Sequence, residues 1–319
     1  MIKIGVIGAG HLGRIHISLL KNIPYFTIVG FYDNNPEAVN SIKNEFGIPS
    51  FTNADDLVAQ CDAINIVTPT LFHFDYACQA IKAGKHVFIE KPVTLNSVEA
   101  KKLALLASEA GITAQAGHVE RFNPAFIAAE PFIKRPIFID FQRTAIYNPR
   151  GTDVSVVLDL MIHDIDLLLH LVKSNIKKIS ATGSAVLCDT EDIAEARIEF
   201  DNGCVANLTA SRIALGNNRK MNIFQKENYL SLDFLNKTAV RAIVKTGKIE
   251  NEKVYASFEN KSIVHENLEV KPINAIAHEL QLFADAIKNK KMAAISLDEA
   301  YDTMKIADEI INTIKKNNL

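Results

Sequence analysis

The first 33 residues constrain the fold of this chain more than any other stretch. Residues 2–7, IKIGVI, are rich in β-branched side chains, which is typical of a strand buried on both faces of a parallel sheet. The run Gly8-Ala9-Gly10-His11-Leu12-Gly13 follows, then a helical pattern, and then a strand at 27–32 that ends in Asp33. In a G-x-G-x-x-G turn the first glycine permits the tight turn, the second lets a pyrophosphate approach, and the third lets the helix pack closely.

This order of strand, glycine turn, helix, strand and acid predicts a dinucleotide-binding site. The helix directs its first N–H groups at the phosphates. The carboxylate of Asp33 comes at the spacing that suits a hydrogen bond with the adenosine ribose. A glycine turn that only packs a helix on a sheet is the alternative, and it leaves Asp33 unexplained. The expected cofactor contacts from this stretch are Gly8, Gly10, His11, Leu12, Gly13 and Asp33.

The cofactor preference follows from the residues after Asp33. A carboxylate at this position repels a 2′-phosphate, and Asn34 and Asn35 stand where NADP enzymes often carry Arg or Lys. We therefore expect NAD rather than NADP.

Composition excludes several classes of protein. The chain has 319 residues, which is enough for two domains, and 35 basic against 37 acidic side chains give a net charge of −2. No nucleic-acid footprint and no apolar run of membrane-spanning length are present in the sequence, which starts on a strand pattern rather than a signal peptide. The four cysteines show neither C-x-x-C nor metal-ligand spacing. We expect a cytoplasmic protein with reduced thiols that binds no metal, nucleic acid or membrane.

The rest of the first 120 residues repeats the alternation of strand and helix. Strand patterns at 62–67, 86–89 and 112–116 are separated by helical patterns, which predicts a doubly wound parallel sheet of the Rossmann type. Ligands of such sheets lie outside the carboxyl ends of the strands. Gly8, Asp33, Thr68 and Lys91 fall at these ends, so one crevice can collect them.

The pattern changes after about residue 117. Short strands alternate with tight turns, and Asp201-Asn202-Gly203 is a strong hairpin signal, which indicates antiparallel pairing. We expect a dinucleotide-binding domain at 1–120 and an α+β domain with a mainly antiparallel open sheet at 121–319. Helices at about 273–288 and 297–315 close the chain, with the C-terminal helix packing back on the first domain. The expected strands of the second domain are 135–145, 179–187, 194–200, 204–211, 221–224 and 229–234.

Residues 154–172, VSVVLDLMIHDIDLLLHLV, have the periodicity of an amphipathic helix. Asp159, His163, Asp166 and His170 share one stripe opposite the apolar side. We interpret Asp166 and His170 as a solvated polar face. A metal site is the alternative for this stripe, but no Glu or Cys partner is identifiable.

The assembled motifs resemble those of the Gfo/Idh/MocA family of nicotinamide-dependent sugar and cyclitol oxidoreductases, along the whole chain. The glycine loop is similar to the family's cofactor loop. The blocks TPTLFH at 68–73 and AGKHVFIEKP at 83–92 resemble its most recognisable segment, and Asp159 with His163 matches its D-x-x-x-H.

The resemblance implies a catalytic set of Lys91, Asp159 and His163. Lys91 lies near the nicotinamide and the reacting hydroxyl, His163 acts as general acid/base, and Asp159 positions the substrate. The chemistry is consistent, since imidazole titrates near neutral pH and an ammonium group favours a developing alkoxide. The resemblance also implies a cis peptide before Pro92. Further cofactor contacts that it implies are Thr68, Pro69, His73, Glu90 and Lys91.

Residues 117–124, GHVERFNP, resemble a branch of the family that includes UDP-N-acetylglucosamine 3-dehydrogenases. Arg121 or Arg143 then becomes a candidate partner for a diphosphate, because a guanidinium fork matches phosphate oxygens. An inter-domain salt bridge is the equal alternative for Arg121. The expected substrate contacts are Lys91, His118, Arg121, Asp159 and His163.

The function that these residues predict is hydride transfer between NAD and a secondary hydroxyl of a sugar or nucleotide sugar. Several alternatives stay open on this scaffold: an inositol or polyol dehydrogenase, a dihydrodiol or imine reductase, an NAD-using glycosidase, and a non-catalytic NAD(H) redox sensor. The intact set of Lys91, Asp159 and His163 argues against the sensor. Relatives imply a homodimer or homotetramer that forms through the open sheet.

Overall fold

The computed structural model describes residues 1–149, 152, 154–226, 228–247 and 254–317. The contacts group the chain into two units. The first contains Met1–Val119 and Asn274–Lys305, and the second contains Glu120–Ile273 and the chain from Ile306 onwards. Each unit is described by itself. None of the helices in the described ranges is long and apolar enough to cross a bilayer.

The N-terminal part of the first unit alternates strands and helices. In chain order its elements are β1 (Ile2–Ile7), α1 (His11–Leu20), β2 (Phe26–Tyr32), α2 (Pro36–Phe46), α3 (Ala54–Gln60), β3 (Ala63–Ile66), α4 (His73–Lys82), β4 (His86–Glu90), α5 (Ser97–Ala110) and β5 (Ala114–Gly117).

The remaining elements are mostly strands. They are α6 (Pro124–Ala129), β6 (Phe138–Thr144), α7 (Ile162–Leu171), β7 (Ile176–Ser184), β8 (Ile193–Phe200), β9 (Val205–Ser211), β10 (Asn218–Phe224), β11 (Asn228–Asp233), β12 (Thr238–Thr246), β13 (Val254–Phe258), β14 (Lys261–Asn267), α8 (Ala275–Asn289) and α9 (Leu297–Asn317).

The first unit is built on a parallel sheet of strand order β2-β1-β3-β4-β5. The second half of β1, all of β3 and most of β4 are buried, so these segments are mainly apolar. Helix α8 belongs to this unit because its apolar face joins the core around β1 and β4. Leu280 and Phe283 of α8 are fully buried there with Ile4, Val6 and Phe88. The sheet therefore carries helices from both ends of the chain.

The second unit contains a nine-stranded sheet of order β13-β14-β12-β11-β10-β6-β9-β8-β7 among the described residues. Its neighbours are antiparallel except β6 and β9, which run parallel. The expected combination of a doubly wound parallel sheet with a mainly antiparallel one is confirmed.

Several local predictions differ from the structure. Strands β12 to β14 carry no clear alternation in the sequence and were not expected, since all five residues of β13 are exposed. Strands β7 and β10 each begin three residues before their predicted starts at 179 and 221. The segment predicted as one α-helix over 154–172 instead opens with a π-helical turn, Val157–Met161, in which the Ile162 N–H bonds the Val157 carbonyl.

Candidate functional site

The glycine turn after β1 has the open surface and the backbone conformation that a pyrophosphate loop requires. Gly8 has φ +103°, and a Cβ there would lie 2.6 Å from the Val67 carbonyl oxygen. A Cβ on Gly13 would collide with the Gly8 carbonyl oxygen, whereas a Cβ on Gly10 would meet no atom within 4 Å. Two glycines therefore allow backbone to pack on backbone, and the third leaves the surface open. No side chain caps the first N–H groups of α1, so they remain available for an anion.

Asp33 closes this loop from the end of β2. Its Oδ2 accepts a hydrogen bond from the Ala9 N–H at 2.6 Å, and its Oδ1 accepts one from the Asn35 N–H at 2.8 Å. A carboxylate has about four acceptor positions, so these two bonds leave capacity for ribose hydroxyls. Asp33 therefore fixes the glycine loop, and it also lines a cavity beside that loop.

That cavity has a volume of about 270 Å³ and lies within the first unit. Gly8, Gly10, Asp33, Thr68 and Pro69 line it, as the sequence leads one to expect. The Thr68 hydroxyl is buried and has no hydrogen-bond partner among the described residues, which leaves a polar group for a ligand to satisfy. Three aromatic side chains that the sequence analysis missed also line the cavity: Tyr32, Phe72 and Tyr76.

The missed aromatic residues give the cavity an apolar wall. The rings of Tyr32 and Tyr76 meet edge to face with centroids 6.2 Å apart, and burial raises the pKa of Tyr76 to about 12. The Tyr76 phenol is therefore neutral at physiological pH. The signal for Tyr32 was its position directly before Asp33, whereas nothing in the spacing of Tyr76 pointed to the cavity. The open glycine, the unsatisfied hydroxyl and the aromatic wall together fit a dinucleotide.

Other expected cofactor residues stand outside this cavity. His11 is exposed at the first position of α1, and Leu12 is half-buried. His73 is buried, and its two ring nitrogens each lie 2.8 Å from a carbonyl oxygen, Nδ1 from that of Pro92 and Nε2 from that of Thr68. Burial lowers the pKa of His73. His73 therefore ties the loop after β3 to the loop after β4.

The loop after β4 carries Glu90, Lys91 and Pro92. The Lys91-Pro92 peptide is cis, as the resemblance implied. Glu90 is buried, and its Oε2 accepts a hydrogen bond from the Lys91 N–H at 3.1 Å. Its Oε1 lies 3.3 Å from Nε2 of His16, a buried histidine of α1 that the sequence analysis did not single out. Lys91 itself is half-buried.

In the second unit the π-helical turn carries Asp159, and His163 follows it in the first turn of α7. Both side chains are half-buried. A wide helical turn of this kind frequently marks a functional site. The segment just before the turn is held by Arg212, whose guanidinium bonds the Val154 carbonyl at 2.7 Å and the fully buried Asp192 at 2.7 Å.

The prediction of a solvated face for Asp166 and His170 is wrong for Asp166. Its carboxylate is 1% exposed and accepts two hydrogen bonds from Arg121, from Nε at 2.8 Å and from Nη2 at 2.7 Å. Helix α7 is buried on more than one side, so its polar stripe is partly internal. His170 is half-buried and pairs with Glu130 at 2.7 Å.

Arg121 and Arg143 are already matched by carboxylates inside the second unit. Arg121 pairs with Asp166, so its salt bridge joins residues of one unit rather than two domains. Arg143 is 2% exposed and bonds Asp164 at 2.7 Å and Glu120 at 2.8 Å. These pairings argue against a role for either guanidinium in holding a diphosphate. Glu120, Arg121 and Asn123 of the GHVERFNP motif instead make contacts within this unit.

His118, the remaining expected substrate contact, is buried and 1% exposed, and it belongs to the first unit directly after β5. Its role stays a prediction. Within the described ranges no group of three or more His, Cys, Asp or Glu side chains could hold a metal ion.

The parallel sheet, the glycine loop and the Asp33 cavity define a dinucleotide-binding protein. Comparison with known families identifies it further. Residues 2–118 match the model described as an oxidoreductase family with an NAD-binding Rossmann fold, and residues 134–230 match the Gfo/Idh/MocA C-terminal domain. The chain belongs to the Gfo/Idh/MocA oxidoreductase family, and NAD is the cofactor of its Rossmann unit.

Several members of this family are similar in sequence. The UDP-N-acetylglucosamine 3-dehydrogenase of Acidithiobacillus ferrooxidans is 40% identical over 238 residues, which cover 74% of this chain and 75% of that protein. A solved structure of that enzyme has a TM-score of 0.90 at 32% identity and covers 99% of this chain and 98% of its own. The scyllo-inositol 2-dehydrogenase (NAD(+)) of Bacillus subtilis is 26% identical over 98% of this chain and 94% of its own.

Replacing Asp33 tests the cofactor preference. In Asp33→Ala we expect the affinity for NAD to fall about 10- to 100-fold, because charge-assisted hydrogen bonds to the ribose are lost. The affinity for NADP should fall less, because the repulsion of its 2′-phosphate is relieved. Calorimetric titration measures both, with Asn34→Ala as a neutral change beside the same cavity. Tighter binding of NADP than of NAD by the unmodified protein contradicts the assignment.

The buried pair of Arg121 and Asp166 should behave as a structural ion pair. We expect Arg121→Met to lower the free energy of unfolding by about 3–5 kcal/mol, because it leaves a buried carboxylate without its cation. The double variant Arg121→Met/Asp166→Leu should recover most of this loss. Denaturant titration measures both, and His170→Ala, which breaks a partly exposed pair, should lose about 1 kcal/mol or less. Unchanged stability with weakened substrate binding would restore the diphosphate role.

Proposed function

We propose that this protein is an NAD-dependent dehydrogenase that oxidises the C3 hydroxyl of a UDP-linked N-acetylhexosamine, with UDP-N-acetylglucosamine as the first candidate. The observation that carries the proposal is the 40% identity to the UDP-N-acetylglucosamine 3-dehydrogenase, together with 32% identity across almost the whole of both chains in the structural comparison. The inositol dehydrogenase reaches only 26%. Arg121 and Arg143 do not support this choice, since carboxylates already occupy them.

Three side chains are proposed for the chemistry. His163 accepts the proton of the substrate hydroxyl, since imidazole titrates near neutral pH and the half-buried ring is accessible. Lys91 stabilises the negative charge that develops on the oxygen as its proton leaves. Asp159, four residues before His163, orients the substrate. The bound cofactor supplies the hydride acceptor, and Gly8, Gly10, Asp33 and Thr68 hold it.

A homodimer or homotetramer and a cytoplasmic location remain proposals. Phe224, Val244 and Tyr255 are between 43% and 73% exposed on one face of the second sheet, and they line a hollow of about 430 Å³ with Ile263. Exposed apolar surface of this kind supports self-association, which light scattering measures. All four cysteines are free, which supports a reducing compartment.

Substrate identity is tested with UDP-N-acetylglucosamine that carries deuterium at C3. We expect the deuterium to appear on the reduced cofactor in mass spectrometry, because the C3 hydrogen is the one transferred. UDP alone should inhibit competitively and raise the melting temperature. Efficient turnover of myo-inositol, with neither binding nor inhibition by UDP, would replace this proposal with a polyol dehydrogenase. Tight NADH binding without turnover of any sugar or polyol would favour the redox sensor.

The catalytic assignments are tested by Lys91→Ala and His163→Ala. Each should lower turnover by about 10²- to 10⁴-fold, as is typical for loss of an acid/base or charge-stabilising group. His163→Ala should keep NADH affinity better than Lys91→Ala, because His163 lies outside the cofactor-binding unit. The control is His170→Ala, on the same helix. Near-normal turnover of His163→Ala at neutral pH would assign the base to another residue.

A further inference from the structure

A chain of buried polar side chains runs beneath the loop that carries Lys91. Asn65 in β3 and His16 in α1 are fully buried, and Glu90 at the end of β4 is 7% exposed. The Nδ2 of Asn65 lies 3.0 Å from Nδ1 of His16, and Nε2 of His16 lies 3.3 Å from Oε1 of Glu90. The other oxygen of Glu90 accepts the Lys91 N–H at 3.1 Å. All of these residues belong to the first unit.

The direction of each hydrogen bond in this series of side chains follows from which atoms can donate and which can accept. The amide nitrogen of Asn65 can only donate, so Nδ1 of His16 must accept and carries no proton. The proton of a neutral imidazole then resides on Nε2, the atom that faces Glu90. Burial disfavours the charged form of Glu90, but the contact with His16 and the charge of Lys91 outweigh it and hold the pKa of Glu90 below its usual range. Glu90 is therefore an anion in the interior of the protein.

The carboxylate of Glu90 has little room to move. A Cβ on Gly117, its neighbour across β4 and β5, would lie 3.0 Å from both Cδ and Oε1 of Glu90. The His16 ring meets the ring of Phe88 edge to face with centroids 5.8 Å apart, so the histidine is also fixed by packing. Burying a charge among apolar side chains is unfavourable unless it is paired, and an apolar residue of similar size would pack this core more easily. Such a local conflict with stability is typical of a functional site.

We propose that Glu90 and His16 are positioning residues for Lys91: the chain Asn65–His16–Glu90 fixes an anionic carboxylate against the Lys91 backbone, which sets where the Lys91 ammonium stands when cofactor and substrate are bound. This inference rests on the proposed function in assigning a catalytic role to Lys91. It adds two residues, His16 and Asn65, that lie deep in the core and line no cavity described above. His73 contacts the Pro92 carbonyl of the same loop, so the backbone is held on both sides of Lys91, at its own N–H and at the carbonyl of Pro92.

The decisive comparison is between His16→Leu and the double variant His16→Leu/Glu90→Leu. The single variant removes the imidazole that faces Oε1 of the buried Glu90 carboxylate, and it should lower both the melting temperature and turnover. The double variant replaces both partners with apolar groups, so we expect it to recover the melting temperature. If the chain positions Lys91, turnover of the double variant stays about 10²-fold low, which is the effect of a displacement of about 1 Å. Recovery of turnover together with stability would assign the chain a purely structural role and overturn the inference.

A conservative variant and a direct readout complete the test. His16→Gln keeps an N–H donor near the place of Nε2, and we expect it to restore most of the turnover lost in His16→Leu, with little change in the KM for the sugar nucleotide. A crystal structure of the double variant with NADH reads the position of Lys91 without any substrate. An unmoved Lys91 side chain overturns the inference.

The result separates this inference from the proposed function. Full turnover by Lys91→Ala removes the catalytic role of Lys91, whatever the His16 variants do. Loss of turnover in Lys91→Ala with normal turnover in the double variant leaves the proposed function intact and overturns only the positioning role.

Discussion

The close approach of two backbone segments at the carboxyl ends of β1 and β3 is the constraint on which the cofactor site depends. Gly8 turns directly against the carbonyl of Val67, and Gly13 packs on the carbonyl of Gly8. These contacts exclude any side chain, and they bring Thr68 and the loop of Asp33 to the walls of one cavity. A side chain at Gly8 or Gly13 would separate the strands from the helix before it affected any ligand. Fold and binding site therefore share the same few atoms.

The second unit is governed by another constraint, the need to pair charges that the fold has buried. Asp164 and Asp166 lie two residues apart in α7, so they project from different sides of the helix, and each receives two or more hydrogen bonds from one arginine. Asp192 accepts three consecutive backbone N–H groups and Arg212. Removing one partner of such a pair leaves a buried charge without compensation, and this destabilises a protein more than replacing both partners with apolar residues. These pairs thus specify one arrangement of helix and sheet around the segment that carries His163.

The sequence could predict what depends on local pattern and on a motif with fixed spacing. The strands of the Rossmann unit, its glycine loop and Asp33 were found because each has a signal within a few residues. The partners of Arg121 and His16 were not found, because Asp166 and Glu90 lie 45 and 74 residues away and nothing local links them. One sequence feature did indicate a buried partner. Asn65 is a single polar residue in an otherwise apolar buried strand, and such a residue requires a hydrogen-bond partner. Strands β12 to β14 were missed because most of their side chains face solvent and show no alternation.

The π-helical turn at Val157–Met161 has a consequence for how this chain can change over evolution. A turn with i to i+5 bonding behaves as an α-helix with one inserted residue. Deletion of one residue from the turn would restore a regular α-helix without rotating the turns on either side, because the wider turn already absorbs the extra residue. Asp159 and His163 lie four residues apart, and a deletion between them leaves a spacing of three, which also places two side chains on one face of a helix. Loss of a single codon in this turn would thus change the distance between these two side chains along the helix while α7 kept its ion pairs.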